Sequence, residues 1–179
     1  MRKKKIFIEI EVPEQVKKYL GKRIEKWSEL PIKWTKMDNL HVTVSFVGYV
    51  DESMVPEICL KVKESVSEFE SFEIIFNCIK LLPDSKNPQT VSLSGDSIEE
   101  LGKLNEVIEE ELGMHPQKHK MFFPHVTLGR IRKTKWDLML EKPTIQEKCN
   151  LSMTAEAVLV MESQGGDAGY SVMEHCELK

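Results

Sequence analysis

Paired cysteines, long hydrophobic runs and polar linkers are all missing from this chain of 179 residues. The four cysteines stand far apart and none has a CxxC partner, so the sequence predicts neither a zinc site nor a disulfide framework. No run approaches the roughly 18 apolar residues that a transmembrane helix needs. We therefore expect reduced thiols in a cytoplasmic protein without a membrane partner. The cysteines are Cys59, Cys78, Cys149 and Cys176.

Two further absences narrow the chemistry. Neither GxxxxGKS nor GxxxxGKT occurs, and no cluster of Asp and Glu suits two-metal phosphoryl transfer. We therefore expect neither a metal nor another cofactor. The 29 Asp and Glu residues outnumber the 25 Lys and Arg, and the net charge of -4 argues against a protein that coats long nucleic acid. A short nucleic-acid end in a local basic pocket stays open.

The hydrophobic pattern indicates one domain over residues 1–179, with strands and helices in alternation. No segment is long or polar enough to link two independent domains, and a chain of this length can bury a core without disulfides. The pattern predicts strands at 6–12, 32–35, 41–47, 72–82, 90–93, 151–161 and 170–178, besides the strand that starts at 125. It predicts helices at 14–28, 55–66, 97–112 and 136–140.

The order strand, helix, strand occurs twice. Ile6 and His41 are about 35 residues apart, and Val91 and His125 are about 34 apart. This match indicates a duplicated β-α-β unit. The order itself is common in α/β and α+β proteins, so the distance alone does not establish a duplication.

The pattern His-hydrophobic-Thr-hydrophobic also occurs twice, at 41–44 (HVTV) and at 125–128 (HVTL). Side chains alternate between the two faces of a strand, so His41 and Thr43 share one face while the valines share the other. The second copy repeats the arrangement. Each strand can therefore bury its apolar face in the core and present an imidazole and a hydroxyl to a cleft.

Two imidazoles that face each other across a cleft can hydrolyse a phosphodiester. The unperturbed pKa of histidine is roughly 6.5, so near neutral pH one ring can accept a proton from water while the other gives one to the departing oxygen. The threonine hydroxyls can donate hydrogen bonds to the phosphoryl oxygens. A single HVTV is simply a good strand sequence, in which a lone histidine is more often structural than catalytic. The second copy favours function.

Three segments carry a specific resemblance to a known family. They are 7–13 (FIEIEVP), 34–48 (WTKMDNLHVTVSFVG) and 122–130 (FFPHVTLGR). The chain resembles the two-histidine (2H) phosphoesterase superfamily, which has the LigT-like fold, and within it the RNA 2',3'-cyclic phosphodiesterases once called 2'-5' RNA ligases. The resemblance implies an α+β fold in which two pseudo-symmetric β-α-β lobes, with antiparallel sheets, surround a central cleft.

The resemblance also implies roles for residues of the two motifs. His41 would be the proton donor that releases the ribose 3' oxygen, and His125 the proton acceptor that activates water. Thr43 and Thr127 would hold the phosphate, and Arg130 would add positive charge near it. The assignment of acid and base to particular histidines rests on the resemblance, because nothing in the sequence breaks their near symmetry.

Two features leave the substrate contacts open. Phe46 can contact the base or the ribose, or it can pack in the core. The family often carries Ser-x-Leu-x-Pro-x-Gly-x-x-Tyr near the C-terminus, whereas residues 163–170 read SQGGDAGY. Ser163 and Gly169 keep the spacing, but Leu and Pro are absent and Tyr170 comes early. We expect this difference to affect which RNA end is preferred more than the chemistry.

Other histidines and basic residues have plainer interpretations. His115 and His119 have the spacing of a helical metal pair, but Pro116 between them favours a loop. His175 has no companion and is expected to be structural or exposed. The basic residues around the second motif can steer RNA or form a solvated face: Lys118, Lys120, Arg130, Arg132, Lys133 and Lys135. Those of the first helix are expected on its solvent side: Lys17, Lys18, Lys22, Arg23 and Lys26.

The leading hypothesis is a monomeric enzyme that hydrolyses the 2',3'-cyclic phosphate at an RNA end, tRNA fragments included. The same site could act instead on a cyclic nucleotide or a 2'-5' oligonucleotide, or could ligate tRNA halves. A third hypothesis is a non-catalytic RNA-binding module whose paired motifs hold phosphate. The presence of both histidines and both threonines favours the enzyme.

Overall fold

The computed structural model describes residues 2–118, 121–165 and 169–179. The strands in this part of the chain are β1 (Lys3–Glu11), β2 (Ile32–Trp34), β3 (His41–Asp51), β4 (Phe72–Leu82), β5 (Thr90–Ser94), β6 (His125–Ile131), β7 (Gln146–Ala155), β8 (Ala157–Ser163) and β9 (Tyr170–Glu177). The α-helices are α1 (Glu14–Ile24), α2 (Val55–Val66), α3 (Glu99–Glu111) and α4 (Lys133–Asp137). Short 3₁₀ turns cover Glu25–Trp27, Met37–Asn39 and Glu52–Met54.

The strands form one sheet, in which each described pairing is antiparallel. Its order is β7-β4-β5-β6-β3-β1-β8-β9, and β2 also pairs with β6. One half holds the β1-α1-β3 unit with β8 and β9, and the other holds the β5-α3-β6 unit with β4 and β7. The halves meet where Val42 pairs with Val126. The predicted α+β fold with two β-α-β lobes is confirmed.

The apolar side chains of the motif strands lie in the core. Val42, Val44, Val126 and Leu128 are all buried. The helices add further buried side chains, among them Val16, Leu20, Ile58, Val62, Leu101, Leu104 and Ile108. A slip of one residue would bring the histidines into the core and the valines into water. Burying each apolar side chain stabilises the fold by roughly 1.5–3 kcal/mol. This gain keeps the motif histidines and threonines on the open face.

Two predicted strand boundaries are wrong. The strand predicted at 151–161 is two strands, because β7 pairs with β4 whereas β8 pairs with β1 in the other lobe. The apolar pattern continues across Glu156, so it carries no sign of this crossover. The strand predicted to close at Gly48 continues to Asp51. Gly48 has a φ of 91° beside a register shift between β1 and β3, so it marks a β-bulge and not a strand end.

The helices also differ from the hydrophobic pattern. The helix predicted at 14–28 ends at Ile24 and tightens into a 3₁₀ turn. The short helix predicted at 136–140 is α4, which begins earlier, and Leu138 and Leu140 beyond it are exposed. Among the described residues, no helix has both the length and the apolar character to span a membrane. The four cysteines are free thiols.

Candidate active site

The two motif strands lie side by side. Val42 of β3 pairs with Val126 of β6 in antiparallel register. In this register His41 stands opposite Thr127, and Thr43 stands opposite His125. The structure thus brings two histidines and two threonines, far apart in the chain, to one place on the sheet.

A cavity of about 690 Å³ opens over the motif strands. Its lining includes all six residues predicted to act on substrate, which are His41, Thr43, Phe46, His125, Thr127 and Arg130. Two lysines, Lys5 and Lys80, and the aromatic rings of Phe7, Phe123 and Tyr170 complete much of the wall. The volume is typical of a small-molecule site, and the three cationic side chains suit an anionic phosphate.

Contacts on both ring nitrogens fix the orientation of His41. Nδ1 donates to the main-chain oxygen of Asn39 at 2.8 Å, and Nε2 lies 3.0 Å from Oγ1 of Thr43. The rings of Phe7 and Tyr170 pack on the imidazole, with centroid separations of 5.3 and 5.6 Å. Because a main-chain carbonyl engages Nδ1, Nε2 is the nitrogen that a substrate can reach, with the Thr43 hydroxyl beside it.

A buried carboxyl group lies behind His41. Glu9 of β1 stands opposite Thr43, is 5% exposed, and places Oε2 3.3 Å from Nδ1 of His41. This is ion-pair distance, but Oε2 accepts no hydrogen bond from the described residues. Burial raises the pKa of Glu9 to about 8, the charge of Glu11 adds to the rise, and Lys17 opposes it.

The pKa of His41 moves in the opposite direction. Burial lowers this pKa, the hydrogen bond to Asn39 opposes the decrease, and charge repulsion from His125 and Arg130 adds to it. Burial therefore disfavours charge on Glu9 and on His41 alike. In the resting site near neutral pH, the two groups are uncharged together.

His125 stands in the other half of the cavity and is exposed. Its Nδ1 lies 3.3 Å from the main-chain oxygen of Phe123, which again leaves Nε2 for a substrate. Ser94 pairs with His125 across β5 and β6. The buried hydroxyl of Ser94 has no hydrogen-bond partner among the described residues, and the residue lines the cavity. It is therefore an additional polar group for substrate.

Close packing of β2 on β6 positions the second motif. Oγ1 of Thr35 donates to the main-chain oxygen of Thr127 at 2.9 Å. A Cβ atom on Gly129 would lie 2.5 Å from Cγ2 of Ile32, so this approach of the strands needs glycine. Arg130 follows directly, is exposed and lines the cavity.

Phe46 is exposed at the cavity, with 67% of its surface accessible, so the alternative of core packing is wrong. The divergent segment also reaches the site, because Ser163 and Tyr170 pair across β8 and β9 and both line the cavity. Tyr170 meets the ring of His41 edge-on. The middle of this segment, 166–168, lies outside the described residues.

Neither His115 nor His175 lines this cavity. His115 is exposed in the loop after α3, as predicted, and His175 is exposed on β9. His119, the proposed companion of His115, lies outside the described residues, as does Lys120. Within 2–118, 121–165 and 169–179, no three His, Cys, Asp or Glu side chains form a group that could hold a metal ion.

Two lysines of the basic stretch pair with acids of their own chain. Nζ of Lys118 lies 3.3 Å from Oε1 of Glu110, and Nζ of Lys133 lies 3.0 Å from Oδ1 of Asp137. Both pairs are largely exposed, which agrees with a solvated face. Of the members of the stretch that the structure describes, Arg130 lines the cavity.

The prediction that Lys17 faces solvent is wrong. Lys17 is buried, and its Nζ lies 3.0 Å from Oε1 of Glu11 and 3.3 Å from Oε1 of Glu14. These two carboxylates draw the ammonium toward the end of β1, which the helical pattern alone does not show. Its charge is also close enough to lower the pKa of Glu9.

Sequence reasoning missed Glu9 and gave no role to Phe7. Both alternate along β1 with Ile6, Ile8 and Ile10, which puts them on the face that the histidines share. This alternation was the available signal. It does not show that Glu9 is buried, because that burial depends on its place between β3 and β8, where Thr43 and Leu159 stand opposite it.

Comparison with known proteins agrees with this geometry. The model of the 2'-5' RNA ligase superfamily matches residues 16–167. An RNA 2',3'-cyclic phosphodiesterase of Thermotoga maritima is 31% identical over 140 residues, which cover 75% of this chain and 75% of that protein. One of Aquifex aeolicus is 29% identical over 137 residues, which cover 71% of this chain and 73% of that protein.

Solved structures share the fold. A crystal structure from Thermus thermophilus superposes with a TM-score of 0.79 at 20% identity, over 97% of each chain. Escherichia coli LigT complexed with 3'-AMP superposes with a TM-score of 0.76 at 18% identity, over 99% of each chain. These neighbours confirm the LigT-like fold. Because the family model spans most of the sequence and a relative above 30% identity covers three quarters of it, the chain belongs to the 2'-5' RNA ligase superfamily.

Proposed function

We propose that the cavity over the motif strands hydrolyses the 2',3'-cyclic phosphate at the end of an RNA chain and leaves a 2'-phosphate. One observation carries the proposal: two His-x-Thr strands meet in register and present both imidazoles to one cavity. Relatives named RNA 2',3'-cyclic phosphodiesterase support this substrate. The complex of E. coli LigT with 3'-AMP supports a ribonucleotide ligand in this fold.

In the proposed reaction, the two histidines act on opposite sides of one phosphorus atom. Nε2 of His125 takes a proton from a water molecule as the water oxygen attacks the phosphorus. Nε2 of His41 gives its proton to the ribose 3' oxygen as the bond from phosphorus to that oxygen breaks. The products are a 3'-hydroxyl and a 2'-phosphate. His125 then holds the proton that His41 has lost, and exchange with solvent restores both rings.

The remaining residues hold the phosphate between the rings. The hydroxyls of Thr43 and Thr127 donate hydrogen bonds to the non-bridging oxygens, where negative charge is concentrated. Arg130, Lys5 and Lys80 add positive charge from the wall of the cavity. These groups bind the phosphate before and after the reaction, whereas the histidines change its rate.

The test is to incubate the protein with a short RNA that ends in a 2',3'-cyclic phosphate, in the presence of EDTA. We expect a 2'-phosphate end, which chromatography against 2'- and 3'-phosphate standards identifies. Parallel incubations with cyclic mononucleotides, a 2'-5' oligonucleotide and paired tRNA halves measure the related substrates. Absence of turnover on the RNA end, or turnover that needs added divalent metal, would contradict the proposal.

Phe46 is proposed to stack on a base or ribose of the substrate. Replacing it with alanine should raise KM for the RNA roughly 5- to 150-fold, because stacking of one base on an aromatic ring is worth roughly 1–3 kcal/mol. The matched control is Tyr49→Ala, which removes another exposed ring of β3 that does not line the cavity. Steady-state kinetics should show the KM effect for Phe46→Ala and not for Tyr49→Ala. An equal effect in both would count against a specific contact.

The finer statements about the protein belong to the same proposal. We propose that it acts as a monomer, that one domain covers residues 1–179, that its location is cytoplasmic, and that tRNA fragments are among its substrates. Light scattering measures the first of these, and limited proteolysis measures the second. RNA recovered after crosslinking in cells identifies the natural substrate.

A further inference from the structure

The two lobes differ at one pair of matched positions. Glu9 of β1 stands opposite Thr43 of the first motif. Ser92 of β5 stands opposite Thr127 of the second motif. The pseudo-symmetry of the lobes therefore matches Glu9 with Ser92, so one lobe carries a carboxyl group where the other carries a hydroxyl. The near symmetry of the two motifs in the sequence is broken at this point.

We propose that Glu9 is a positioning residue that stabilises the imidazolium form of His41 and thereby makes His41, and not His125, the proton donor. The inference rests on the proposed function. The N–H of Nδ1 has two acceptors in reach, the Asn39 oxygen at 2.8 Å and Oε2 of Glu9 at 3.3 Å. Oε2 is buried and accepts no hydrogen bond from the described residues, so a positive charge on His41 is the partner within its reach.

The charges around the pair come from several elements. Glu11 on β1 disfavours a negative charge on Glu9, and Lys17 on α1 favours it. His125 and Arg130 on β6 disfavour a positive charge on His41. From β8, apolar Leu159 stands opposite Glu9, and from β9 the Tyr170 ring packs on His41. A negative charge on Glu9 would therefore offset the repulsion between a charged His41 and the residues His125 and Arg130 of β6.

The pair can change its charge without a net change in protons. A neutral Glu9 with a neutral His41 holds as many protons as a carboxylate with an imidazolium. The first form suits the empty, buried site. When the cavity holds a phosphate anion, the imidazolium is favoured, so Glu9 loses its proton and Nε2 of His41 gains one. His41 then carries the proton that the ribose 3' oxygen needs.

The proton-donating form should therefore persist to the pH at which the pair loses its shared proton. For the pair we expect the shared proton to be lost near the pKa of Glu9, about 8. Without the carboxyl group of Glu9, we expect His41 to lose its proton below pH 6.5, because burial lowers the pKa of His41. The difference between the two values provides the test.

The first experiment compares the pH dependence of kcat/KM in the wild type, Glu9→Gln and Glu11→Gln. Glutamine fills the same space as Glu9 but cannot ionise. In the wild type we expect the midpoint of the high-pH limb at about pH 8. In Glu9→Gln we expect this midpoint below pH 6.5, so kcat/KM at pH 7.5 should be lower by roughly tenfold or more. The low-pH limb, set by the base, should stay. Glu11→Gln makes the same substitution at an exposed position of the same strand. Because the charge of Glu11 raises the pKa of Glu9, this variant should lower the midpoint of the high-pH limb, but far less than Glu9→Gln does.

The second experiment needs no turnover, so its result separates this inference from the proposed function. The side-chain nitrogens of His41 are titrated by NMR in the wild type and in Glu9→Gln, each saturated with inorganic phosphate. Bound phosphate is common to both proteins, so we expect the imidazolium to persist to a clearly higher pH in the wild type, which has the Glu9 carboxyl group beside Nδ1, than in the variant. The same titration curve in both proteins would overturn the role of Glu9, whether or not RNA is a substrate.

Discussion

Replacing His125 with alanine should lower kcat on RNA with a cyclic phosphate end by roughly 10²–10⁴, and replacing His41 should have an effect of the same size. In free energy this is a loss of roughly 3–5 kcal/mol of transition-state stabilisation. Neither histidine belongs to the core, since His125 is exposed and His41 is half-buried. The folded state should therefore survive both substitutions. KM should change little, because the threonines and the cationic side chains still hold the phosphate.

The double variant adds a sharper criterion. If the two rings act in one proton-transfer step, the loss in His41→Ala/His125→Ala should be far smaller than the product of the single losses. His175→Ala removes an exposed histidine of β9 outside the cavity and is the control for histidine content. Its kcat should equal that of the wild type. A single variant of either motif histidine that kept more than about a tenth of the activity would contradict general acid and base roles for both.

Glu9→Gln should stabilise the protein at alkaline pH. The pKa of Glu9 in the folded protein, about 8, lies above its ordinary value of 4.5. Stability that depends on the neutral carboxyl is fully present below pH 4.5 and is lost as the pH rises through 8. This corresponds to roughly 4–5 kcal/mol, reduced by whatever charge His41 takes up beside it. Glutamine cannot ionise, so the variant avoids this loss.

Urea unfolding of the wild type, Glu9→Gln and Glu11→Gln at several pH values between about 5 and 9 measures the effect. As the pH rises through this range, the free energy of unfolding of Glu9→Gln should increase by several kcal/mol relative to that of the wild type. The lowered pKa of His41 affects stability below 6.5 in both proteins and does not imitate this gain. Glu11→Gln removes the carboxylate that pairs with the buried Lys17, so its curve should lie below that of the wild type but keep most of the same pH dependence, because Glu9 is still present. Parallel curves for wild type and Glu9→Gln would show that Glu9 is not buried as an acid.

Much of the fold was predictable because burial leaves a clear mark on strands. Alternation in β1 and the two HVT segments is enough to predict the strands, their buried faces and the repeated unit. The crossover at Glu156 was not predictable, because the apolar pattern runs on from the end of β7 into β8 and their separation depends on which lobe each one pairs with. The bulge at Gly48 was hidden for a similar reason, since a glycine in a strand can end it or bend it.

The site likewise contains residues that could be predicted from the sequence and residues that could not. The residues that line the cavity from β3 and β6 could be named from sequence, because motif and alternation together fix the face on which they lie. Glu9 could be placed on that face but not recognised as buried, because its enclosure comes from distant strands. Lys17 was misplaced because two carboxylates outweigh the helical pattern. Interactions between distant segments, and not local preference, account for both.

A crystal structure with bound uridine vanadate, which mimics a five-coordinate phosphorus, tests whether one phosphorus lies between the two imidazoles. We predict that Nε2 of His41 and Nε2 of His125 lie about 2.6–3.2 Å from the two opposite apical oxygens. The hydroxyls of Thr43 and Thr127 should contact the equatorial oxygens. A vanadate that contacts one histidine alone, or that binds outside the cavity over β3 and β6, would contradict the shared acid and base mechanism.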